Sequence, residues 1–226
     1  MATLKIKQSI IKTIIFDFDG TLAKLNIDFH QMRKAIIELI ISYDIAQNEL
    51  HTDFVLEMID SAEIILNQRP VRTANKFIDT ANSIIERIEI QAANNGELFD
   101  GTKELLESLK TQEISCGIIT RNCAKAVKIV FPDILSYCPV VVCRNDVKKV
   151  KPHPEHLNTA LNKLGSLPQN TLTIGDHPLD IETGRNAGTW TCGVLTGRCT
   201  RNDFIASGAD LVLSQAADIL NIINSH

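Results

Sequence analysis

The sequence predicts an α/β fold: a parallel sheet core covered by helices, with an all-helical domain inserted near its start. Three observations predict it. From Leu98 onward, short runs of near-continuous apolar residues alternate with helical stretches, the pattern of strands buried on both faces. Before that point, from Lys24 to Gly96, the apolar residues recur only at helical spacing. Residues suited to chemistry fall where the strand-like runs end, the position at which open parallel sheets bind their ligands. A chain of 226 residues, 44% hydrophobic, can bury a sizeable core as one large domain with a smaller insert.

Taken in order, the first strand lies in IIFDFDGTL, residues 14–22, and runs out into Asp17. A second carboxylate follows at Asp19, then a turn at Gly20-Thr21. In extended chain, residues i and i+2 point to the same side, so both carboxylates can face one ligand. The insert carries three apolar stripes. Phe29, Met32, Ile36 and Ile40 form one; Val55, Met58, Ile59, Ala62, Ile65 and Leu66 form the next, entered through Thr52-Asp53 as caps. Pro70 marks a break, and Ala74, Phe77, Ile78, Ala81, Ile84, Ile85 and Ile88 form the third, closed at Asn94-Asn95-Gly96. Stripes of this kind read as packed core rather than a cofactor box. The expected division is a core domain of residues 1–23 and 97–226 and a helical cap domain of 24–96, with hinges at Asn26 to Asp28 and Asn94 to Gly96.

Beyond Leu98 the pattern predicts a helix over Thr102 to Lys110, a strand over Ser115 to Thr120 and a helix from near Asn122 stopped at Phe131-Pro132. A strand over Val140 to Cys143, a helix from Pro154 to Leu164 closed by Gly165, and a strand from Thr171 to Ile174 follow. Then come a short helix ending before Gly188, strands at Thr191 to Leu195 and Asp210 to Leu213, and a final helix.

Three later strand-end or helix-start positions carry candidate groups. Thr120 offers a hydroxyl, with Arg121 and Asn122 leading into a helix whose N–H groups can seat an anion; Asn122 is the expected N-cap. Lys151, in KVKPHPEHL, stands just before a helix that Pro154 starts. Alone it reads as a solvated charge, but beside carboxylates and a phosphate it would keep a nucleophile ionised. Asp176 and Asp180, in LTIGDHPLD, add hard oxygen ligands of the kind Mg²⁺ prefers.

These four groups, in this order, resemble the four sequence motifs of the haloacid dehalogenase (HAD) superfamily phosphatases. The insert between the first and second resembles the helical cap of that superfamily's phosphoglycolate phosphatase-like branch. The resemblance implies a Rossmann-like core in which Asp17 is the nucleophile and Asp19 the general acid/base. Thr120 and Lys151, with Arg121 and Asn122 beside them, would bind the phosphoryl group, and Asp17, Asp19, Asp176 and Asp180 would hold Mg²⁺. Dehalogenases of this kind lack the second aspartate, so Asp19 favours phosphate-ester cleavage. The implied activity is Mg²⁺-dependent hydrolysis of a small phosphate monoester, phosphoglycolate first, through an aspartyl-phosphate. A phosphomutase, pyrophosphatase or phosphonatase on the same core is the alternative, and a non-catalytic phosphate-binding protein is a further one. Lys76 and Arg72 are cap candidates for touching substrate. His177 stands where a small hydroxyl residue is frequent; it reads as a hydrogen-bonding neighbour of the metal site, although with His153 and His156 it also allows a transition-metal site.

The formal charge of −4 gives no pull toward nucleic acid or an anionic membrane, and the basic patch of Arg144, Lys148, Lys149 and Lys151 reads as local. The run from Ile10 to Phe16 is broken by Lys12 and lacks the marks of a secretory signal, and no stretch has the apolar length of a membrane span. Six cysteines without a CxxC pair argue against a zinc site, and several, in or beside apolar strand-like runs, read as small buried hydrophobes. A cytoplasmic monomer or homodimer acting on a small phosphorylated metabolite is the expectation.

Overall fold

In the computed structural model, which describes residues 4–50, 52–69 and 73–224, a six-stranded sheet sits at the centre of one of two compact units. That unit takes in Met1–Leu25 and Gly96–His226, and the other Asn26–Asn95.

The chain opens with a short antiparallel pair, β1 (Lys5–Ile6) and β2 (Ser9–Ile10), and then enters β3 (Thr13–Phe16). Every residue of β3 is buried, as expected of a strand covered on both faces. After a turn come β4 (Ala23–Lys24) and the three helices of the second unit: α1 (Phe29–Ser42), α2 (Val55–Asn67) and α3 (Ala74–Ala93). Their apolar stripes pack on one another, with Met32, Ile36, Ile40, Met58, Ala62, Phe77, Ala81 and Ile85 buried. Asp28 caps α1 by accepting the Gln31 N–H at 2.8 Å. Pro70 and Arg72 lie outside the described residues, and Lys76 is exposed on α3. The chain returns through β5 (Glu97–Leu98), which pairs antiparallel with β4.

The remaining elements wind around the sheet: α4 (Thr102–Thr111), β6 (Ser115–Ile119), α5 (Ala124–Val130), α6 (Ile134–Tyr137), β7 (Val140–Val142), α7 (Pro154–Leu164), β8 (Thr171–Gly175), α8 (Pro178–Ala187), β9 (Trp190–Val194), α9 (Arg201–Ser207), β10 (Leu211–Leu213) and α10 (Ile219–Asn224). The sheet order is β10-β9-β8-β3-β6-β7, with all neighbours parallel. β3 therefore lies inside the sheet, and the order reverses around it, which makes its carboxyl end a topological switch point. Ile15, Ile119, Val142, Leu157 and Leu161 join strands to α7 in one apolar cluster. Removing such a side chain, as in Ile15→Ala, costs about 2–5 kcal/mol.

Local chemistry moves several boundaries. The helix after β6 is capped by Cys123, not Asn122: Thr120 N–H donates to Val142 O at 3.0 Å and Arg144 N–H to Asn122 O at 3.2 Å. These bonds carry the chain alongside β7 for two more residues, and the Cys123 Sγ then accepts the Ala126 N–H at 3.5 Å. Thr52 and Asp53 do not cap α2. Thr52 Oγ1 accepts the Phe54 N–H at 3.1 Å and Asp53 pairs with Arg33 at 2.7 Å, which leaves Phe54 at the cap position. Helix α9, between β9 and β10, is unanticipated; its seven residues are too few for a clear apolar stripe, but Thr200 and Asp203 form a capping box at its start. The basic patch is split: Lys148 and Lys149 are exposed, whereas Arg144 and Lys151 are buried, at 8% and 2% exposure. Among the described residues no helix is long and apolar enough to cross a membrane. All six cysteines are free, and all but Cys199 are buried.

Candidate active site

Asp17 follows directly on β3. Its N–H donates to Ile174 O at 2.8 Å, so pairing with β8 extends to the carboxylate-bearing residue itself. Its Oδ1 accepts the Phe18 N–H at 2.7 Å, which fixes the side chain against the start of the turn. The turn folds back tightly: Leu22 N–H donates to Phe18 O at 2.9 Å and Gly20 N–H to Ala23 O at 2.7 Å. Gly20 takes φ +83, a conformation open to glycine at no steric cost. Within the turn, Asp19 Oδ1 accepts the Leu25 N–H at 2.9 Å.

The second source of carboxylates is the β8–α8 junction. Asp176 follows β8, and Thr21 Oγ1 reaches its Oδ1 at 3.4 Å. Asp180, in the first turn of α8, is buried rather than on the exposed face of its helix. Its Oδ2 accepts the His177 N–H at 3.1 Å in a capping box, while His177 Nδ1 accepts the Leu179 N–H at 3.2 Å. His177 is thus a capping residue that hydrogen-bonds to a member of the acid cluster through its backbone. Gly175 permits this close approach, since a Cβ there would stand 2.2 Å from Asp180 Cγ.

Lys151 joins the two groups. Its Nζ lies 2.7 Å from Asp17 Oδ1 and 2.7 Å from Asp180 Oδ1; its side chain is 3% exposed and that of Asp17 13%. The backbone at Lys151 is held by His156, whose Nδ1 accepts the Lys151 N–H at 3.3 Å and whose Nε2 meets Val142 O at 3.0 Å. His156 is fully buried and His153 caps α7, so neither stands with His177 in a ligand set. Burial, assisted by the charge of Lys151, pushes the His156 imidazole down to about 4, and the ring is neutral.

Carboxylate oxygens of Asp17, Asp176 and Asp180 lie within 4.8 Å of one another, a set that does not include Asp19. Burial pushes Asp17 up to about 7, with Lys151 opposing and Asp180 adding to the shift. Burial likewise pushes Asp176 up to about 8, with the charges of Asp17 and Asp180 behind it. Burial works against the charge of Lys151, yet the two carboxylates beside it raise its pKa. Two half-buried acids and one buried acid around one ammonium would carry excess negative charge when ionised, and an all-oxygen donor set of this kind fits a hard divalent cation.

Thr120, Arg121 and Asn122 stand at the end of β6, the strand beside β3. Thr120 Oγ1 accepts the Asn122 N–H at 3.2 Å, and the Asn122 Nδ2 is buried without a hydrogen-bond partner. Arg144, a member of the basic patch, donates from Nη1 to Arg121 O at 2.8 Å and so secures this turn. Its contribution depends on a contact across 23 residues that no local spacing signals.

Carboxylates and a buried lysine are thus gathered at the carboxyl edge of a parallel sheet. Residues 14–194 match the family model for haloacid dehalogenase-like hydrolases. A curated relative, pyrophosphatase PpaX of Bacillus cereus (strain AH820), is 30% identical over 223 residues, covering 95% of this chain and 97% of the relative. Among solved structures, a hydrolase from Pseudomonas syringae aligns with TM-score 0.67 at 24% identity, over 95% of this chain and 98% of that one. A protein described as a predicted phosphoglycolate phosphatase from Haemophilus somnus 129pt aligns with TM-score 0.62 at 21% identity, over 94% and 97%. The chain belongs to the haloacid dehalogenase-like hydrolase family.

Proposed function

We propose that this protein hydrolyses a small phosphorylated metabolite by transferring the phosphoryl group to Asp17 and then to water. The observation that carries the reading is the contact of Lys151 Nζ with both Asp17 and Asp180 at 2.7 Å, beside Asp176. Lys151 favours the ionised form of the Asp17 carboxylate and directs it, and its charge offsets that of the incoming phosphate. An Asp17 oxygen attacks phosphorus as the bond to the leaving oxygen breaks, and that oxygen takes a proton from Asp19. Asp19 then takes a proton from the water that attacks the aspartyl-phosphate, and the bond to Asp17 breaks to release phosphate. Thr120, the Asn122 amide and Arg121 form the anion seat at the end of β6. Asp17, Asp176 and Asp180 would hold a divalent ion, Mg²⁺ by resemblance, and such an ion would supply neutralisation of negative charge. In this reading Asp19 serves proton transfer, and its carboxylate is not part of the ligand triad.

The resemblance of the insert to a helical cap favours phosphoglycolate as substrate. A second reading, pyrophosphate, is favoured by the relative named a pyrophosphatase, which matches over nearly the whole chain. The deciding experiment is inorganic phosphate release from pyrophosphate, phosphoglycolate and a panel of other monoesters, with Mg²⁺ and then with EDTA. Mg²⁺-dependent release dominated by one compound identifies the substrate. Absence of release from every compound overturns the hydrolase reading. The free cysteines fit a reducing, cytoplasmic setting for this activity.

A further inference from the structure

The carboxylate of Asp176 sits in a slot with backbone walls. A Cβ on Gly20 would stand 2.3 Å from its Oδ2, and a Cβ on Gly197 2.1 Å from the same oxygen. Both distances are below any contact a side chain tolerates, so only hydrogen at these two positions admits the carboxylate. The walls belong to different parts of the chain, one in the turn after β3 and the other in the loop between β9 and α9. Thr196 ties them together by donating from Oγ1 to the Gly20 carbonyl. The loop is anchored at its root, where Leu195 N–H donates to Leu213 O at 3.1 Å and Ser214 O at 3.2 Å. By contrast, the side-chain hydrogen bond to Asp176 from Thr21 is long, at 3.4 Å. The orientation of Asp176 is therefore set chiefly by shape.

We infer that Thr196 and Gly197, neither of which offers a charged group, are positioning residues that aim Asp176 at the divalent-cation site and so set the affinity of that site. The inference rests on the metal reading given under Proposed function. Without the slot, the like charges of Asp17 and Asp180 would turn Asp176 outward. With it, all three carboxylates stay within 4.8 Å. A methyl group at position 197 would displace the carboxylate directly. Loss of the Thr196 hydroxyl would let the two walls part.

The test is Mn²⁺ binding, followed by electron paramagnetic resonance on the purified proteins. The set comprises wild type, Asp176→Asn, Gly197→Ala, Thr196→Val and Thr196→Ser. Groups that orient a ligand typically change metal affinity by about 10- to 100-fold. The expected result is that Gly197→Ala and Thr196→Val raise the Mn²⁺ Kd by at least about 10-fold. Thr196→Ser, which keeps the hydroxyl, should stay near wild type. Melting temperatures in EDTA should remain close to that of wild type, which separates aim from fold. If Gly197→Ala does not fold, the contrast between Val and Ser at position 196 decides the matter. Wild-type affinity in Gly197→Ala and Thr196→Val, with binding lost in Asp176→Asn, overturns this inference and leaves the metal reading intact. Failure of wild type to bind Mn²⁺, or undiminished binding by Asp176→Asn, overturns both.

Discussion

Lys151 Nζ and Asp180 Oδ1 stand 2.7 Å apart, and each side chain is 3% exposed. Asp180 is itself fixed by the His177 N–H at the start of α8, so the helix cap and the lysine share one carboxylate. Removing one partner of a buried pair leaves an uncompensated charge and costs about 3–5 kcal/mol. Lys151→Met is expected to lower the unfolding free energy by about 3 kcal/mol in urea denaturation. It should also reduce phosphate release on the order of 10²-fold or more. A variant as stable as wild type would mean that the pair contributes nothing to the fold.

Asp17→Asn removes the nucleophilic oxygen while keeping shape. Turnover should fall on the order of 10³-fold or more, with the circular dichroism spectrum unchanged. Single-turnover assays on the purified, folded variant check this, and substantial remaining activity would remove Asp17 from the nucleophile role.

Asp19→Asn separates the two substrate readings. A phosphate leaving group is a weak base and departs with little help, whereas an alkoxide needs its proton. The loss should therefore be much smaller with pyrophosphate than with phosphoglycolate. Equal losses on both would assign Asp19 to something other than protonating the leaving oxygen.

The acid cluster and His156 act on stability in opposite directions as pH changes. Asp17 near 7 and Asp176 near 8, against an ordinary 3.8, mean that the folded chain binds protons the unfolded chain has released. Metal-free stability is therefore greatest at low pH from these groups and falls as pH rises through about 7 to 8. Mg²⁺ should raise the melting temperature more near pH 8 than near pH 5, because binding favours the ionised cluster. Thermal scans in EDTA and in Mg²⁺ measure this, and equal shifts at both pH values would contradict it.

His156, near 4 when folded and 6.5 ordinarily, contributes stability that is full above 6.5 and lost as pH falls toward 4. This contribution is about 3 kcal/mol. His156→Gln should be less stable than wild type at neutral pH, with the gap narrowing by about that amount on acidification. A gap that stays constant across this range would show that the imidazole titrates normally.

Much of the site was legible because a parallel sheet gathers its strand ends on one edge. Asp17 and Asp176 each follow a buried apolar strand, and Lys151 precedes a helix that a proline starts, so local pattern alone brings them near one another. The features that sequence spacing does not carry depend on contacts between distant residues. Gly197 meets Asp176 through space, and Arg144 reaches the Arg121 carbonyl across the end of the sheet. The burial of His156 follows from its bond to Val142 O, which sequence spacing does not encode. Asn122 is the usual residue type for a helix cap, yet bonds beside β7 pass that position to Cys123.

The place of β3 between β8 and β6 also governs how the molecule breathes. Strands β10 and β7 form the rims of the sheet, and their outer backbone groups are the first that a fluctuation can release. The Asp17 amide, bonded to Ile174 O beside the inner ladder, should exchange its hydrogen more slowly than the outer amides of the rim strands. Rim strands can therefore fray and reclose without disturbing the residue on which turnover depends, and catalytic competence should persist until the sheet itself comes apart.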